Sequence, residues 1–360
     1  DYTTNFGAYL TPWPNMPVVA ENIRHYIQHN AVGIMLQGAY QSPGGHRARM
    51  RSWVWAKQLW DPSLDTRTLM RDFTYGYFDT AAEPIQQYNN LLWRTWKEHH
   101  NGPAKGKGNP IDEQIIKEGM RLFERAEDLA TEPETRARVE LDKLSILYAR
   151  LELGPVGSKD VEDYLKLVDE FESIARQNHV THLRERPRGI DQHLLRWRSR
   201  AGRVRVRIDV PGTVDADDIE PRLATHLGEH SAEVVEDPLA ENGFAIRQPG
   251  GNTQWSIQWV VPIKKLDKGC KYRLRLRIRV DKSGNEGPAF HAAVYNASTR
   301  TYPVGTKGFS AAQVASEEYR WFVIGEFAPQ DGDFVYIAPD DNEQDVTAVY
   351  TDRIELVPME

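Results

Sequence analysis

With 360 residues, 40% hydrophobic and 27% charged, the chain has length for two or three domains and a globular rather than a disordered composition. A net charge of −7 excludes a dedicated nucleic-acid binder, whose domain would be strongly basic. The single cysteine, Cys270, excludes an internal disulfide framework and a multi-cysteine metal site, and the longest apolar run is too short to span a bilayer.

The sequence starts at Asp1 rather than Met, as expected of a chain processed or cut from something longer. Residues 2–6, "YTTNF", are β-prone and end in the turn cluster "TPWPN". Asn15 is placed to cap a helix whose apolar face is Val18, Ile23, Tyr26 and Ile27. Asn30 closes that helix, and "VGIML" (32–36) then reads as a continuous apolar strand of the kind buried on both faces in parallel sheets. Past Gly44 and Gly45, the residues Met50, Trp53, Val54 and Trp60 recur at helical spacing until Asp61-Pro62 stops them. Two more helices are expected, over roughly 65–78 and 81–99. Strand alternating with helix predicts β/α units and, with right-handed winding, a segment of a barrel.

Residues 101–110, "NGPAKGKGNP", have the composition of a linker. A helix marked by Ile115, Leu122, Phe123 and Leu129 follows, then a second with Val139, Leu144, Leu147 and Leu151, started by a Thr131/Glu134 capping box and ended by Gly154-Pro155. A third runs from Ser158 to about Arg176. From about 203 the period becomes two: "RVRVRIDV", "TQWSIQWVV", "YRLRLRIRV", "AFHAAVYN", "YRWFVIGEF", "DFVYIAP" and "VTAVYTDRIELV" predict an antiparallel sandwich, most simply a jelly roll.

In a β/α barrel, function gathers at the carboxyl ends of the strands. That places Asn5, Tyr9 and Trp13 after the first strand, and Gln37, Tyr40, Gln41 and His46 after the second. Amides that bond hydroxyls and rings that stack on pyranose faces suit a neutral sugar; the same residues also serve as strand caps and fillers of a barrel mouth. Glycoside hydrolysis needs two carboxylates, and neither strand end presents one: Leu36 stands where an acid would be useful, and Asp1, Glu21 and Asp61 read as terminal, helical or capping residues. Nothing in the sequence asks for a cofactor. His179, His182 and His193 fit no tight metal-ligand spacing. Arg203, Arg205 and Arg207, and again Arg273, Arg275, Arg277 and Arg279, each project from one strand face. They would grip an anionic glycan, or they pair with acids of neighbouring strands such as Asp352 and Glu355. Trp255 and Trp259, four apart, read as one face, either core or a stacking platform.

The stretch that joins "ENIRHYIQHN", "QGAYQSPGG" and "AKQLWDP" closely resembles the end of a bacterial family catalogued as domain of unknown function 4838, over about the first hundred residues. The resemblance implies a glycoside-hydrolase-like TIM barrel, similar in fold to β-hexosaminidases and α-glucuronidases, with "VGIML" as its last strand and most of the barrel, with the general acid, supplied by an N-terminal half preceding Asp1. Relatives commonly carry Glu at the position of Leu36 and often Glu at that of His46. The later regions resemble the helical extension and carbohydrate-binding-like sandwich that trail such barrels.

The expected architecture is therefore multidomain α/β plus all-β: the C-terminal part of a (β/α)8 barrel over 1–100, a helical extension over 101–200, and an antiparallel β-sandwich over 201–360. The expected function is the binding or cleavage of polysaccharide by a secreted or periplasmic glycoside-hydrolase-like protein, with Gln37, Tyr40 and Asn5 foremost in the sugar-facing wall. Its partners would be a poly- or oligosaccharide and the N-terminal barrel half, with no nucleic acid and no membrane span. A non-catalytic carbohydrate-binding protein and a structural or interaction protein are the alternatives.

Overall fold

The computed structural model describes residues 2–13, 15–99, 112–156, 160–185, 189–203, 210–216, 222–223, 232–251, 253 and 255–359. They form two compact units, Asp1–Pro155 with Glu162–Asp191, and Val156–Val161 with Gln192–Glu360.

The first unit is helical. Its elements are α1 (Met16–Gln28), α2 (Ala48–Trp60), α3 (Thr66–Phe78), α4 (Ala82–His99), α5 (Glu113–Leu129), α6 (Pro133–Leu153) and nearly all of α7 (Val161–Gln177). The 3.6-residue pattern located these helices well, and their buried faces form two clusters. One joins Met16, Val19, Ile23, Met50, Val54 and Met70 of α1–α3. The other joins Phe78, Ile85 and Tyr88 to Phe123 and Ile146 of α5 and α6. The expected caps differ. Asn15 makes no side-chain cap on α1, its amide pointing instead to the Thr3 carbonyl at 3.4 Å. At α6, Glu132 occupies the cap position without a side-chain bond, so the Thr131/Glu134 box does not form. Asp65 and Asp112 do cap, accepting from the N–H groups of Thr68 and Ile115 at 2.8 Å each.

The strands expected over 2–6 and 32–36 are reduced to one parallel bridge, Tyr2 to Gln37. A strand exists through its ladder, and among the described residues neither segment has the neighbours a ladder needs. Nor is "VGIML" buried on both faces. Ile34 and Leu36 pack on the α1–α3 cluster, whereas Val32 is fully exposed and Met35 is 72% exposed. A barrel is accordingly absent from the described residues. No helix among them is long and apolar enough to cross a membrane. The predicted linker at 101–110 lies outside the described residues, as does Ser158.

The second unit holds most of α8 (Ile190–Arg203) and, among the described residues, eleven strands: β1 (Val214–Ala216), β2 (Arg222–Leu223), β3 (Glu233–Glu236), β4 (Phe244–Pro249), β5 (Ile257–Val260), β6 (Tyr272–Lys282), β7 (Pro288–Asn296), β8 (Thr301–Ser310), β9 (Arg320–Phe327), β10 (Asp333–Pro339) and β11 (Val346–Pro358). They make two antiparallel sheets. One is ordered β3-β4-β11-β6-β9 with β1 also on β11, the other β2-β5-β10-β7-β8. Successive strands change sheet except at the β3–β4 and β7–β8 connections. The predicted sandwich is present. Its core lies between the sheets, where Leu274, Leu276 and Ile278 of β6 and Ile354 and Leu356 of β11 meet Ile257, Trp259, Phe290, Val294, Val335 and Ile337 from the other side. Of the strand expected at 203–210, Arg203 instead ends α8 and 204–209, with Arg205 and Arg207, lie outside the described residues.

Candidate functional site

The segment that leads into α2 is held by its smallest residues and by two buried arginines. A Cβ on Gly44 would lie 2.5 Å from the Val180 side chain, and one on Gly45 would lie 3.2 Å from Ala39, so only glycine lets the turn lie flat on residue 180. Ser42 Oγ accepts the N–H groups of Gly44 and Thr181 at 3.4 and 3.2 Å. Arg47, left-handed at φ 55°, precedes α2. Its guanidinium pairs with Asp142 and Asn89 and lies over the Tyr88 ring. Arg51 donates to the carbonyls of Thr3 and Trp13. Burial, then the neighbouring Arg47, lowers Arg51 to about 9. These contacts lock residues 3–13 to the start of α2.

On this base the expected residues separate into two groups. Thr3 N–H and Oγ1–H both donate to the Gln37 carbonyl at 2.9 Å. Tyr2, Phe6 and Tyr9 stack edge to face along the chain at 5.3 and 6.0 Å. The Tyr9 hydroxyl donates to Gln41 Oε1 at 3.1 Å, and the Tyr40 hydroxyl reaches Glu185 Oε1 at 3.4 Å. Backbone bonds from Tyr9 N–H to Leu183 O and from Glu185 N–H to Phe6 O, at 2.8 and 2.9 Å, bring residues 183–185 alongside. Tyr2 and Tyr40 are 71% and 61% exposed. One surface thus carries Tyr2, Phe6, Tyr40, Gln41 and Glu185, with Tyr9 buried beneath and half-buried Gln37 joined to it through its backbone carbonyl. Burial, then Tyr40 and Glu185, raises the Tyr9 phenol above its ordinary value and keeps it a donor.

The other residues serve the frame. Asn5 Oδ1 accepts the Gly7 N–H at 2.9 Å, closing a local turn. His46 is buried, and its Nδ1 accepts from Trp13 N–H at 3.2 Å and from Arg51 at 2.9 Å. Burial, then Arg51 and Arg47, lowers its pKa well below the usual imidazole value, so it is neutral. Trp13 and His46 line a small cleft with Met50, Met70 and Trp93. Glu185, 145 residues from Tyr40, had no sequence signal inside the arginine-rich "LRERPRG"; only the fold brings it to the tyrosines.

Two of the β6 arginines, Arg275 and Arg277, face the acids named from the sequence, and the other two pair with acids that were not. Arg275 bonds Glu355 at 2.6 Å, Arg277 bonds Asp352, and Arg279 bonds Asp237 at 2.8 Å. Arg273 reaches Glu326 at the exposed end of the row. Arg275 also covers the Trp321 ring and Arg279 the Tyr350 ring. With its guanidiniums engaged in this way, the row offers no free cradle for an anion. Among the described residues no group of histidines, cysteines and acids is placed to hold a metal ion.

Residues 1–90 match the model of a family described as a domain of unknown function, DUF4838. Among curated proteins, none matches the chain. Solved structures similar to it include the CBM22-1 xylan-binding domain of Paenibacillus barcinonensis Xyn10C, at TM-score 0.31 and 9% identity over 41% of this chain and 94% of that one. A family 35 carbohydrate-binding module from Clostridium thermocellum is similar at TM-score 0.28 and 16% identity over 40% of this chain and 98% of that one. A Podospora anserina GH26-CBM35 β-(1,4)-mannanase follows at TM-score 0.28 and 14% identity, covering 41% of this chain and 28% of that one. Likeness at this level fixes neither a ligand nor an activity, and DUF4838 covers only the first quarter of the sequence.

Proposed function

We propose that this chain is part of a glycoside-hydrolase-like protein that binds poly- or oligosaccharide, with Gln37, Tyr40 and Gln41 forming a sugar-facing wall. The observation that carries the reading is the convergence of two exposed tyrosines, the Gln41 amide and the Glu185 carboxylate on a single surface of the first unit. Rings of this kind cover the apolar face of a pyranose, while amides and acids bond its hydroxyls. Asn5, Tyr9, Trp13 and His46 hold that wall in place through the bonds described above.

In the same reading, Val32–Leu36 is a barrel strand completed by a preceding β/α half, which also supplies the remaining catalytic acid. The three-part division near residues 100 and 200, and a secreted or periplasmic location, belong to this proposal too. Glu185 is the carboxylate this surface presents, and hydrolysis needs a pair flanking the bond. Leu36, packed on the α1–α3 cluster, offers no second acid. That favours, as the second reading, a carbohydrate-binding protein without turnover.

The test uses the natural full-length protein on glycan arrays and aryl glycosides, beside Tyr40→Ala and Glu185→Gln. We expect Tyr40→Ala to weaken glycan binding about tenfold, as loss of one stacking ring should. Turnover that Glu185→Gln abolishes while binding survives supports the hydrolase. Binding with no turnover of any glycoside leaves the binding protein, and absence of both sinks the carbohydrate reading altogether.

A further inference from the structure

We propose that the outer face of the five-stranded sheet is a separate binding site for a soluble, neutral polysaccharide chain, with Trp255 as its central stacking ring. The inference does not rest on the surface around Tyr40. Alternation fixes which residues stand on this face. Val335 and Ile337 of β10, Val294 of β7 and Trp259 of β5 enter the core, so Phe334 and Tyr336, Tyr295, and Gln258 and Val260 stand opposite. Trp255 lies just ahead of β5 rather than within it, and its ring rests flat on Tyr336, 4.2 Å away and tilted by 13°. It also meets Tyr295 at 5.7 Å and Phe334 at 6.0 Å. Tyr295 in turn meets Phe334 at 5.5 Å and Tyr302 at 5.0 Å. Trp255 and Trp259 therefore do not share a face as their spacing predicts: one is core and the other is outside it.

A sheet face turned away from the core is ordinarily polar. Here it carries five adjoining aromatic rings: Tyr302 is 47% exposed, Trp255, Tyr295 and Phe334 are half-buried, and Tyr336 is buried beneath Trp255, with Val260 beside them at 56% exposure; an apolar patch of this kind marks an interaction site. The rings are held in advance of any ligand. Gln258 Nε2 donates to the Trp255 carbonyl at 3.3 Å, and the Tyr336 hydroxyl bonds Thr306 Oγ1 at 3.1 Å. The flanking pair His291 and Asp340 is closed on itself at 2.7 Å, so the described side chains of β5, β7 and β10 present rings, an amide and a hydroxyl here, with Arg222 of β2 in register opposite Gln258 at the edge of the face. Half-buried rings with an amide and a hydroxyl complement a neutral sugar polymer, and the net charge of −7 would repel a polyanion. Ring planes inclined by 52–66° between Trp255, Tyr295, Tyr302 and Phe334 make a twisted ridge, matched to a soluble chain and mismatched to a flat crystalline surface.

The test is native electrophoresis of the whole chain through gels containing xylan, mixed-linkage β-glucan, galactomannan or polygalacturonate, all in a Tyr40→Ala background so that the first unit's surface contributes less and the second-unit variants are read against a constant remainder. Far-UV circular dichroism accompanies each variant. We expect retardation by at least one neutral polymer and none by polygalacturonate. Trp255→Ala should weaken it at least about tenfold and Tyr302→Ala should weaken it less. If Trp255→Ala fails to fold, Tyr302→Ala, whose ring is exposed, decides alone. No retardation by any neutral polymer, or retardation unchanged by these variants, overturns the proposal; so does equal binding to microcrystalline cellulose.

Discussion

Gly44 illustrates how one missing side chain positions a surface. Its Cα faces Val180 so closely that a methyl group would have to displace a branched side chain buried against it. Gly44→Ala should destabilise the protein by about 1–3 kcal/mol in urea denaturation, and pairing it with Val180→Ala should cost less than the sum of the two single changes. Additive effects would show that the two residues do not press on one another. Asp352 is the second residue with a sharp consequence. Burial pushes its carboxyl up to about 6 from an ordinary 3.8, against the pull of Arg277. The folded state therefore binds this proton more tightly than the unfolded chain. The stability it contributes is full below about pH 4 and lost as pH rises through about 6. Relative to Asp352→Asn, the parent should lose about 3 kcal/mol between those limits, read from urea midpoints measured along a pH series. A difference constant with pH would refute the assignment.

Strand β6 shows why residues of one type on one face need not weigh the same. Arg277 meets an Asp352 side chain that is 3% exposed, whereas Arg273 and its partner Glu326 are 47% and 43% exposed. Arg277→Ala should cost about 3–5 kcal/mol near pH 7, because it strands a buried charge, and less near pH 5, where Asp352 takes up its proton. Arg273→Ala should cost under about 1 kcal/mol. Equal thermal shifts in the two variants would contradict this ranking. The same elements show what could be read in advance. Helices α1–α7 announced themselves through apolar residues recurring at helical spacing, although α6 is buried all round over 143–149, and β6 and β9 through alternation; β7, β10 and β11, expected to alternate too, are buried along nearly their whole length. β8 gave no such signal: Pro303, Gly305 and Gly308 interrupt it, and Val304 is its one buried residue. Residues 32–36 have strand composition, yet a strand is made by neighbours that composition does not record. At the site, Gln37, Tyr40 and Gln41 were legible as polar and aromatic residues on a glycine turn. Glu185 and the turned-out Trp255 were not, since the first depends on a contact across the fold and the second on where a strand begins.

At the scale of the molecule, two sets of arginines are engaged internally, the β6 row on Asp237, Asp352 and Glu355, and Arg47 and Arg51 on Asp142 and backbone carbonyls. Binding of a neutral glycan should therefore change little between 0.05 and 0.5 M salt (roughly, one Debye length of 14 Å against one of 4 Å), as measured by isothermal titration calorimetry, and heparin should elute the protein at the lowest salt. A steep salt dependence would instead place free arginines at the ligand. β8, lastly, is the terminal strand of its sheet. Its outward hydrogen-bonding groups are the natural place for a second sandwich to add on and begin a chain of stacked copies. Pro303 removes one of the donors such growth requires, and Gly305 and Gly308 give an incoming strand no side chain to grip. The residues that interrupt the apolar pattern of β8 thus also oppose edge-to-edge growth, and Pro303→Val should be the variant that first turns a clear concentrated solution cloudy.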